Sequence, residues 1–291
     1  MILVFGGSGQ LGQELTRAAA ARNVALVALS RTESDIANPA AVDAAMAQHR
    51  PALVVNAAAY TKVDLAESEP EAARAGNETG PANLAAACEA AGIPLVHVST
   101  DYVFDGTKPK AYVESDPIAP LGIYGQTKAA GEAAVRKAVR HVILRTAWVY
   151  GEFGNNFLKT MLRLAATRDE LRVVADQRGC PTSTRDLAYA ILKIAPRLTA
   201  RDEVWGTYHY AGSGVTTWYD FARRIVATQA PLTGRSPAVH PITTAEYPTP
   251  ARRPANSELD CHLFERTFGF HGRPWIEETD AITRALVGAR S

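Results

Sequence analysis

The sequence is short of several things. It has three cysteines, Cys88, Cys180 and Cys261, too few and too scattered for a disulfide framework or a zinc site. They read as buried or incidental thiols of a reducing compartment. No apolar run approaches the roughly 20 residues that cross a bilayer. The first residues enter a strand-like run with no basic segment ahead of it, so no secretory leader is expected. Lysine and arginine number 31 against 30 aspartates and glutamates, a net charge of +1. That balance gives no electrostatic case for nucleic acid or for an anionic membrane surface. There is no internal repeat and no low-complexity tail. The expectation is a cytoplasmic protein of 291 residues, long enough to bury a large core as one big α/β domain or two interlaced ones.

What is present begins at the first residue. Met1-Ile-Leu-Val-Phe5 is a short apolar run that reads as a buried parallel strand. Gly6, Gly9 and Gly12 follow at GxxGxxG spacing, then an Ala- and Leu-rich helical stretch from Gln10 to Ala21 and a second apolar run, Val24 to Leu29. Glycines at a strand-to-helix turn let a pyrophosphate approach backbone N–H groups, so this context predicts a dinucleotide site. The second strand ends in Ser30-Arg31 with no carboxylate immediately after it. A serine and an arginine suit a 2′-phosphate, which favours NADPH over NADH without excluding NADH. Asp35 and Ile36 lie a few residues on, toward the adenine.

Further apolar runs alternate with Ala-rich helical segments. Leu53–Asn56, Leu95–Ser99, Val142–Thr146 and Leu171–Val174 read as the third to sixth strands, with helices from Asn77 to Ala91 and Tyr124 to Val139 between them. This is the pattern of a doubly wound parallel sheet, a Rossmann fold. After about residue 175 the pattern weakens, through Thr207–Ala211 and a helix from Trp218 to Thr228. The expected division is a dinucleotide-binding domain over 1–150 and a smaller, interlaced, mainly substrate-binding domain over 151–291, with segments of about 171–211 returning to the sheet. Tyr247-Pro-Thr-Pro-Ala-Arg-Arg-Pro254 cannot be regular structure and reads as a binding loop.

Tyr124 and Lys128 carry the chemistry. Four residues is one helical turn, so phenol and ammonium project from one face. A lysine there favours the phenolate and brings the phenol's pKa down toward the working pH. Ser99-Thr100-Asp101 falls where the fourth strand ends, and ligands of open α/β sheets bind outside the carboxyl ends of strands. Thr100 is therefore expected to orient a ketone, Tyr124 to protonate its oxygen as hydride arrives, and Lys128 to stabilise the phenolate and reach the nicotinamide ribose.

The glycine turn, Asn56-Ala-Ala-Ala59, Ser99-Thr-Asp-Tyr-Val-Phe104 and Tyr124-x-x-x-Lys128 resemble the extended short-chain dehydrogenase/reductase family. Val63-Asp-Leu-Ala-Glu-Ser-Glu-Pro70, Arg145-Thr-Ala-Trp-Val-Tyr150, Gly154-Asn-Asn-Phe157, Thr216-Thr-Trp-Tyr-Asp-Phe221 and the 247–257 run narrow the match to its nucleotide-sugar reductases. The resemblance implies NAD(P)H-dependent reduction of the C4 ketone of dTDP-4-dehydro-6-deoxy-L-mannose. It implies Gly9, Gln10 and Leu11 at the pyrophosphate, Asp35 and Ile36 on the adenine side, and Ala58, Ala59 and Tyr60 beside the cofactor. It implies Thr100, Asp101, Trp148 and Asn156 at the nucleotide sugar, and Arg252 and Arg253 bridging its diphosphate through fork geometry. Read alone, Trp148 is plain core after the fifth strand, where a buried tryptophan is the more usual case.

Some members of the family are joined in a magnesium-bridged dimer through glutamates. Glu14 matches the first of these, but Arg185 holds the later position, and a guanidinium does not ligate Mg²⁺. No metal is expected, and the chain reads as a monomer or a metal-independent homodimer, with Arg185 able to pair with Glu14 within one chain or across two. Two other readings stay open at this point: a nucleotide-sugar epimerase or dehydratase of the same family, and a non-catalytic NADP-binding partner resembling the regulatory subunit of methionine adenosyltransferase.

Overall fold

The computed structural model describes residues 1–200 and 202–289. Six parallel strands form the central sheet: β1 (Ile2–Phe5), β2 (Leu26–Leu29), β3 (Leu53–Asn56), β4 (Leu95–Thr100), β5 (His141–Thr146) and β6 (Gly206–His209), in the order β6-β5-β4-β3-β1-β2. Side chains alternate between two covered faces. Ile2, Val4, Leu53 and Val55 pack with Leu15, Leu187 and Ile191 of helices α1 (Gln10–Ala20) and α6 (Thr184–Thr199). Leu3, Phe5, Val54 and Ile143 pack on the other face with Val42, Leu84 and Val135 of α2 (Pro39–His49), α3 (Gly80–Ala91) and α4 (Ile123–Val135). The chain runs from β1 outward to β2, then crosses back to β3 on the other side of β1. That reversal opens a crevice at the carboxyl ends of β1 and β3, where doubly wound sheets bind ligands.

A second core holds Tyr150, Leu158, Phe221, Trp275 and Ile282. It is built by α5 (Phe157–Ala165), α7 (Trp218–Thr233) and α8 (Trp275–Gly288), with the parallel pair Glu170–Val174 and Ala238–Ile242. Leu171–Val174 is thus not the sixth strand of the main sheet, as the sequence suggests. Its burial alternates, with Leu171 and Val173 inward and Glu170 and Arg172 exposed, the pattern of a strand covered on one face only. The sixth strand is Gly206–His209, reached through α6, so the return to the sheet is confined to 184–209 of the expected 171–211. Residues 290 and 291 of the expected second domain lie outside the described residues. The 247–257 run is irregular, as expected, after a single 3₁₀ turn at Thr244–Glu246.

The helix expected from Asn77 has a different start. A π turn, Ala75–Thr79, joins the short helix Pro70–Arg74 to α3. It places Asn77, fully buried, so that its amide donates to the Tyr60 carbonyl at 3.0 Å and to Thr127 Oγ1 at 3.2 Å, while its oxygen accepts the Tyr60 N–H at 2.8 Å. Helix α4 comes close enough to be held because Gly131 has no side chain; a Cβ there would lie 2.0 Å from the Asn77 carbonyl.

Candidate active site

The strand-to-helix turn after β1 is shaped by what it cannot accommodate. Gly6 has φ +93°, and a Cβ on it would sit 2.6 Å from the Ala58 nitrogen. A Cβ on Gly12 would sit 2.2 Å from the Gly6 carbonyl. The turn therefore folds tightly against the chain leaving β3 and against its own helix, as only glycine permits. Gly9 is the N-cap of α1 and offers no side-chain cap, which leaves the first-turn N–H groups, those of Gln10, Leu11 and Gly12 among them, for a ligand. The Leu11 side chain is buried in the sheet core. Ala58 is fixed by its N–H bond to Asn56 Oδ1 at 3.0 Å; Ala59 is exposed; Tyr60 is tied to Asn77 through its backbone and to Glu69 through its hydroxyl at 2.6 Å, with the phenol pushed up to about 12 by that carboxylate. An anion-binding cradle without side chains fits a dinucleotide.

At the end of β2 the picture is more acidic than the sequence suggests. The N–H and hydroxyl of Ser30 both donate to Glu33 Oε2, at 2.8 and 2.6 Å, and these bonds hold the Glu33 carboxyl below its usual range. A turn at Ser30–Ser34 brings this carboxylate back to the strand end, where a strand-end reading misses it. Arg31 is exposed and donates to Asp35 Oδ2 at 3.0 Å, and Asp35 caps the Ala37 N–H. Ile36 is buried in the core against Gly80, so its side chain does not face the crevice.

Thr100 ends β4, and α4 carries Tyr124 and Lys128 beneath it. The Thr100 hydroxyl lies beside the Tyr124 phenol and donates to Asp101 Oδ1 at 2.9 Å. Tyr102 packs edge-on to Tyr124, with ring centroids 5.4 Å apart. The phenol departs from expectation. Burial pushes it up to about 12, against the lowering effect of Thr100, and Asp101 pushes the same way. Lys128 does not offset this, because its ammonium donates to the Val98 carbonyl at 2.7 Å. Burial brings Lys128 itself down to about 8, with Glu132 opposing. Tyr124 is therefore a phenol at neutral pH.

Behind Lys128, one turn along α4, Glu132 is completely buried. It accepts from Arg145 Nε and Nη2 at 2.9 and 2.8 Å, from Ser99 Oγ at 2.6 Å and from Arg136 at 2.8 Å. A bidentate pair of this kind fixes orientation as well as charge. It anchors α4 to β4 and β5 and so sets the position of Tyr124 and Lys128.

On the opposite side the expected sugar contacts divide. Asp101 is buried, hydrogen-bonded to Thr100 and close to Ser257, yet burial outweighs both and its carboxyl is pushed up to about 6. Trp148 sits at φ +49° and stacks on Trp218, centroids 3.6 Å apart at 9°; a Cβ on Gly179 would strike its ring. It is half-buried between the second core and a small cluster that includes Phe104, Tyr112 and Leu259. Asn156 departs from expectation. Its amide donates to Gln10 Oε1 at 2.9 Å and to the Gly151 carbonyl at 2.8 Å, and its oxygen caps α5 at Lys159 N–H. It joins the glycine turn to α5, with both amide hydrogens and one lone pair of its oxygen already engaged. Arg252 is exposed. Arg253 is bound by Asp64. Asp64, Trp218 and Ser257 were missed because each acts through a partner distant in sequence.

The expected Arg185–Glu14 pair is also replaced. Arg185 binds Glu152; Arg17 donates to Glu152 at 2.9 Å and to both oxygens of Glu14 at 2.7 and 2.8 Å. Arg17, one turn beyond Glu14 on α1, lies closer than Arg185 and takes its carboxylate. The three cysteines are free, and burial pushes each thiol up to about 12.

With this geometry in place the comparisons are decisive. The model of the family described as "RmlD substrate binding domain" matches residues 1–287. The chain belongs to that family. It is 46% identical to the dTDP-4-dehydrorhamnose reductase of Sinorhizobium fredii over 289 residues, 98% of this chain and 97% of that one. It superposes on a crystal structure of a dTDP-4-dehydrorhamnose reductase from Clostridium acetobutylicum with a TM-score of 0.91 and 41% identity, covering 98% and 99% of the two chains. The dTDP-4-dehydrorhamnose reductase of Bacillus anthracis, solved in complex with NADP, gives a TM-score of 0.89 at 36% identity, with 97% of each chain covered. Among the described residues no helix is long and apolar enough to cross a membrane.

Proposed function

We propose that the chain is an NAD(P)H-dependent oxidoreductase, a dTDP-4-dehydrorhamnose reductase, converting dTDP-4-dehydro-6-deoxy-L-mannose to dTDP-L-rhamnose. The observation that carries this reading is a Tyr124 phenol beside the Thr100 hydroxyl at the carboxyl end of β4, in a chain that shares nearly its full length with relatives of that name. When bound, the reduced cofactor supplies a hydride for the ketone carbon. Thr100 orients the ketone. Tyr124, protonated in the resting site, gives its proton to the ketone oxygen. Lys128, which donates to the Val98 carbonyl in the resting site, would stabilise the remaining phenolate once its ammonium turns toward it, until solvent reprotonates the phenol.

The glycine turn with Gln10, Leu11, Ala58 and Ala59 would hold the pyrophosphate side of NADPH, and Ser30 and Arg31 its 2′-phosphate. Glu33 favours a second possibility, use of NADH, because a carboxylate at this strand end suits a free 2′-hydroxyl. Residues 1–150 are the cofactor-binding part and 151–291 mainly the substrate-binding part. Asp101 and Trp148 would meet the sugar nucleotide, and Arg252 its diphosphate. We place the protein in the cytoplasm, acting without metal, as a monomer or a metal-independent dimer, with no nucleic-acid or membrane partner. The test is to offer purified protein dTDP-4-dehydro-6-deoxy-L-mannose with NADPH and, separately, NADH, and to identify the product by NMR. Absence of dTDP-L-rhamnose with both cofactors sinks the reading.

A further inference from the structure

Asp64 sits in the helical turn Val63–Ala66, beyond the end of β3. Arg253 is 189 residues away in sequence, in the irregular 247–257 run. The two form a bidentate pair, Nη1 to Oδ1 at 2.9 Å and Nη2 to Oδ2 at 2.8 Å. The Ala251 N–H adds a third bond to Oδ1 at 3.2 Å. Nη1 also donates to the Ala251 carbonyl at 3.0 Å and to Thr249 Oγ1 at 3.3 Å, so the same guanidinium ties up its own loop. Burial disfavours the charge on Asp64, yet the bonds from Arg253 and Ala251 hold its carboxyl below the usual range. The pair is half-buried.

What this pair holds matters for the reaction. Pro254 packs on Gly106, where a Cβ would lie 2.5 Å away, and Asn256 is bound through its amide to the Lys108 and Lys110 carbonyls at 2.8 and 3.0 Å. Ser257 then reaches Asp101, the residue next to Thr100. The loop thus runs from Asp64, beyond the end of β3, to the end of β4. Few donors of Arg253 are left for a diphosphate, whereas Arg252 next to it is exposed.

We propose that Asp64 is a positioning residue: through Arg253 it pins the 247–257 loop across the cleft, and Arg253 serves as a strut rather than as a ligand of the diphosphate. This rests on the reductase reading for the identity of the ligand, but not for the loop order it implies. The signs of two effects separate a strut from a ligand. If Arg253 were a diphosphate ligand held back by Asp64, removing the carboxylate would release it and tighten binding. If it is a strut, removing either partner loosens the loop.

The experiment is a double-mutant cycle with Asp64→Asn, Arg253→Gln and the pair together. It is read by titration calorimetry with dTDP, by KM and kcat for the nucleotide sugar, and by hydrogen exchange of the 251–257 amides. NADPH titration checks that each variant is folded. The expected result is dTDP affinity lower by roughly three- to tenfold in either single variant, the scale of a partly exposed ion pair with good geometry. KM should rise more than kcat falls, exchange should speed up in 251–257, and the double variant should be no worse than the singles. Tighter or unchanged dTDP binding in Asp64→Asn, or additive losses in the double variant, overturns the proposal. Hydrogen exchange decides the strut even if the chain binds no dTDP, a result that would count against the reductase reading alone: unchanged exchange in Asp64→Asn overturns the strut.

Discussion

The two ends of the cleft are built from different materials. The nucleotide end is made of backbone: a glycine turn that tolerates no Cβ at Gly6 or Gly12 and helix N–H groups with no side-chain cap. The end proposed for the sugar is made of side chains that meet across long stretches of sequence: Asp64 with Arg253, Trp148 with Trp218, Ser257 with Asp101. A backbone cradle is set by steric exclusion, so a single added methyl group destroys it. A side-chain frame is set by partners, so it degrades by degrees and can be rebuilt with other pairs.

Tyr124 stands between the two ends, and its removal should have the largest effect. Tyr124→Phe keeps the ring and its contact with Tyr102 but removes the proton donor. We expect kcat to fall by roughly 100- to 10,000-fold with NADPH and dTDP affinities nearly intact. Near-full turnover in steady-state assays would remove Tyr124 from the chemistry. Next comes the backbone end. Gly12→Ala puts a methyl group 2.2 Å from the Gly6 carbonyl, and since the obstacle is backbone, α1 must shift. Overpacking of this sort costs about 1–3 kcal/mol. Thermal melting should show that loss, and fluorescence titration a loss of NADPH binding greater than that of dTDP. Equal losses at both ends would erase the distinction drawn here.

A pH titration sharpens the comparison from the catalytic side. Burial brings Lys128 to about 8, so its charge fades as pH rises through that value, and kcat should fall on the alkaline side accordingly. Stability runs the other way. Between about 8 and the ordinary lysine range the unfolded chain holds this proton and the folded chain does not, so stability gains with rising pH across that window. Denaturant unfolding of Lys128→Met should lack that gain; an identical pH dependence would mean that the lysine keeps its ordinary pKa in the native state. The smallest effects are expected at the rims. Arg31→Ala should raise KM for NADPH and spare NADH, and Arg252→Ala should raise KM for the nucleotide sugar alone. Each should be a few-fold, as for exposed charges. An effect of Arg31→Ala on both cofactors alike would leave the 2′-phosphate to Ser30.

The same contrast explains what could be read in the sequence. Gly6, Gly9, Gly12, Thr100, Tyr124 and Lys128 lie in short motifs whose chemistry is local, and the fold brings them to one end of one sheet. Five of the six sheet strands were likewise visible as apolar runs, because strands covered on both faces are apolar throughout. Leu171–Val174 was misplaced because four residues cannot tell which core an apolar face will meet. Asn156 was misread for a related reason. Its partners, Gln10 and Lys159, turn it into a clasp and a cap, and neither relation is visible at its own position. Glu33 escaped because a turn returns it to Ser30, and Arg253 because Asp64 belongs to a different part of the chain. The lowering of the Tyr124 phenol was inferred from spacing alone, whereas the direction of the Lys128 side chain depends on the Val98 carbonyl of β4.

The π turn at Ala75–Thr79 gives the helical rod from Pro70 to Ala91 a phase slip. Because of the slip, the faces of Pro70–Arg74 and Gly80–Ala91 are set independently, and Asn77 points at Tyr60 and Thr127 from the seam. Deleting one residue there, Gly76 for instance, would give a more regular helix and rotate Asn77 relative to Pro70–Arg74 by roughly 100°. The rod would gain local regularity while α4 lost the clasp through Thr127, which sits beside Lys128 in the chain. A change of length in this segment should therefore cost more than a substitution on its solvent face.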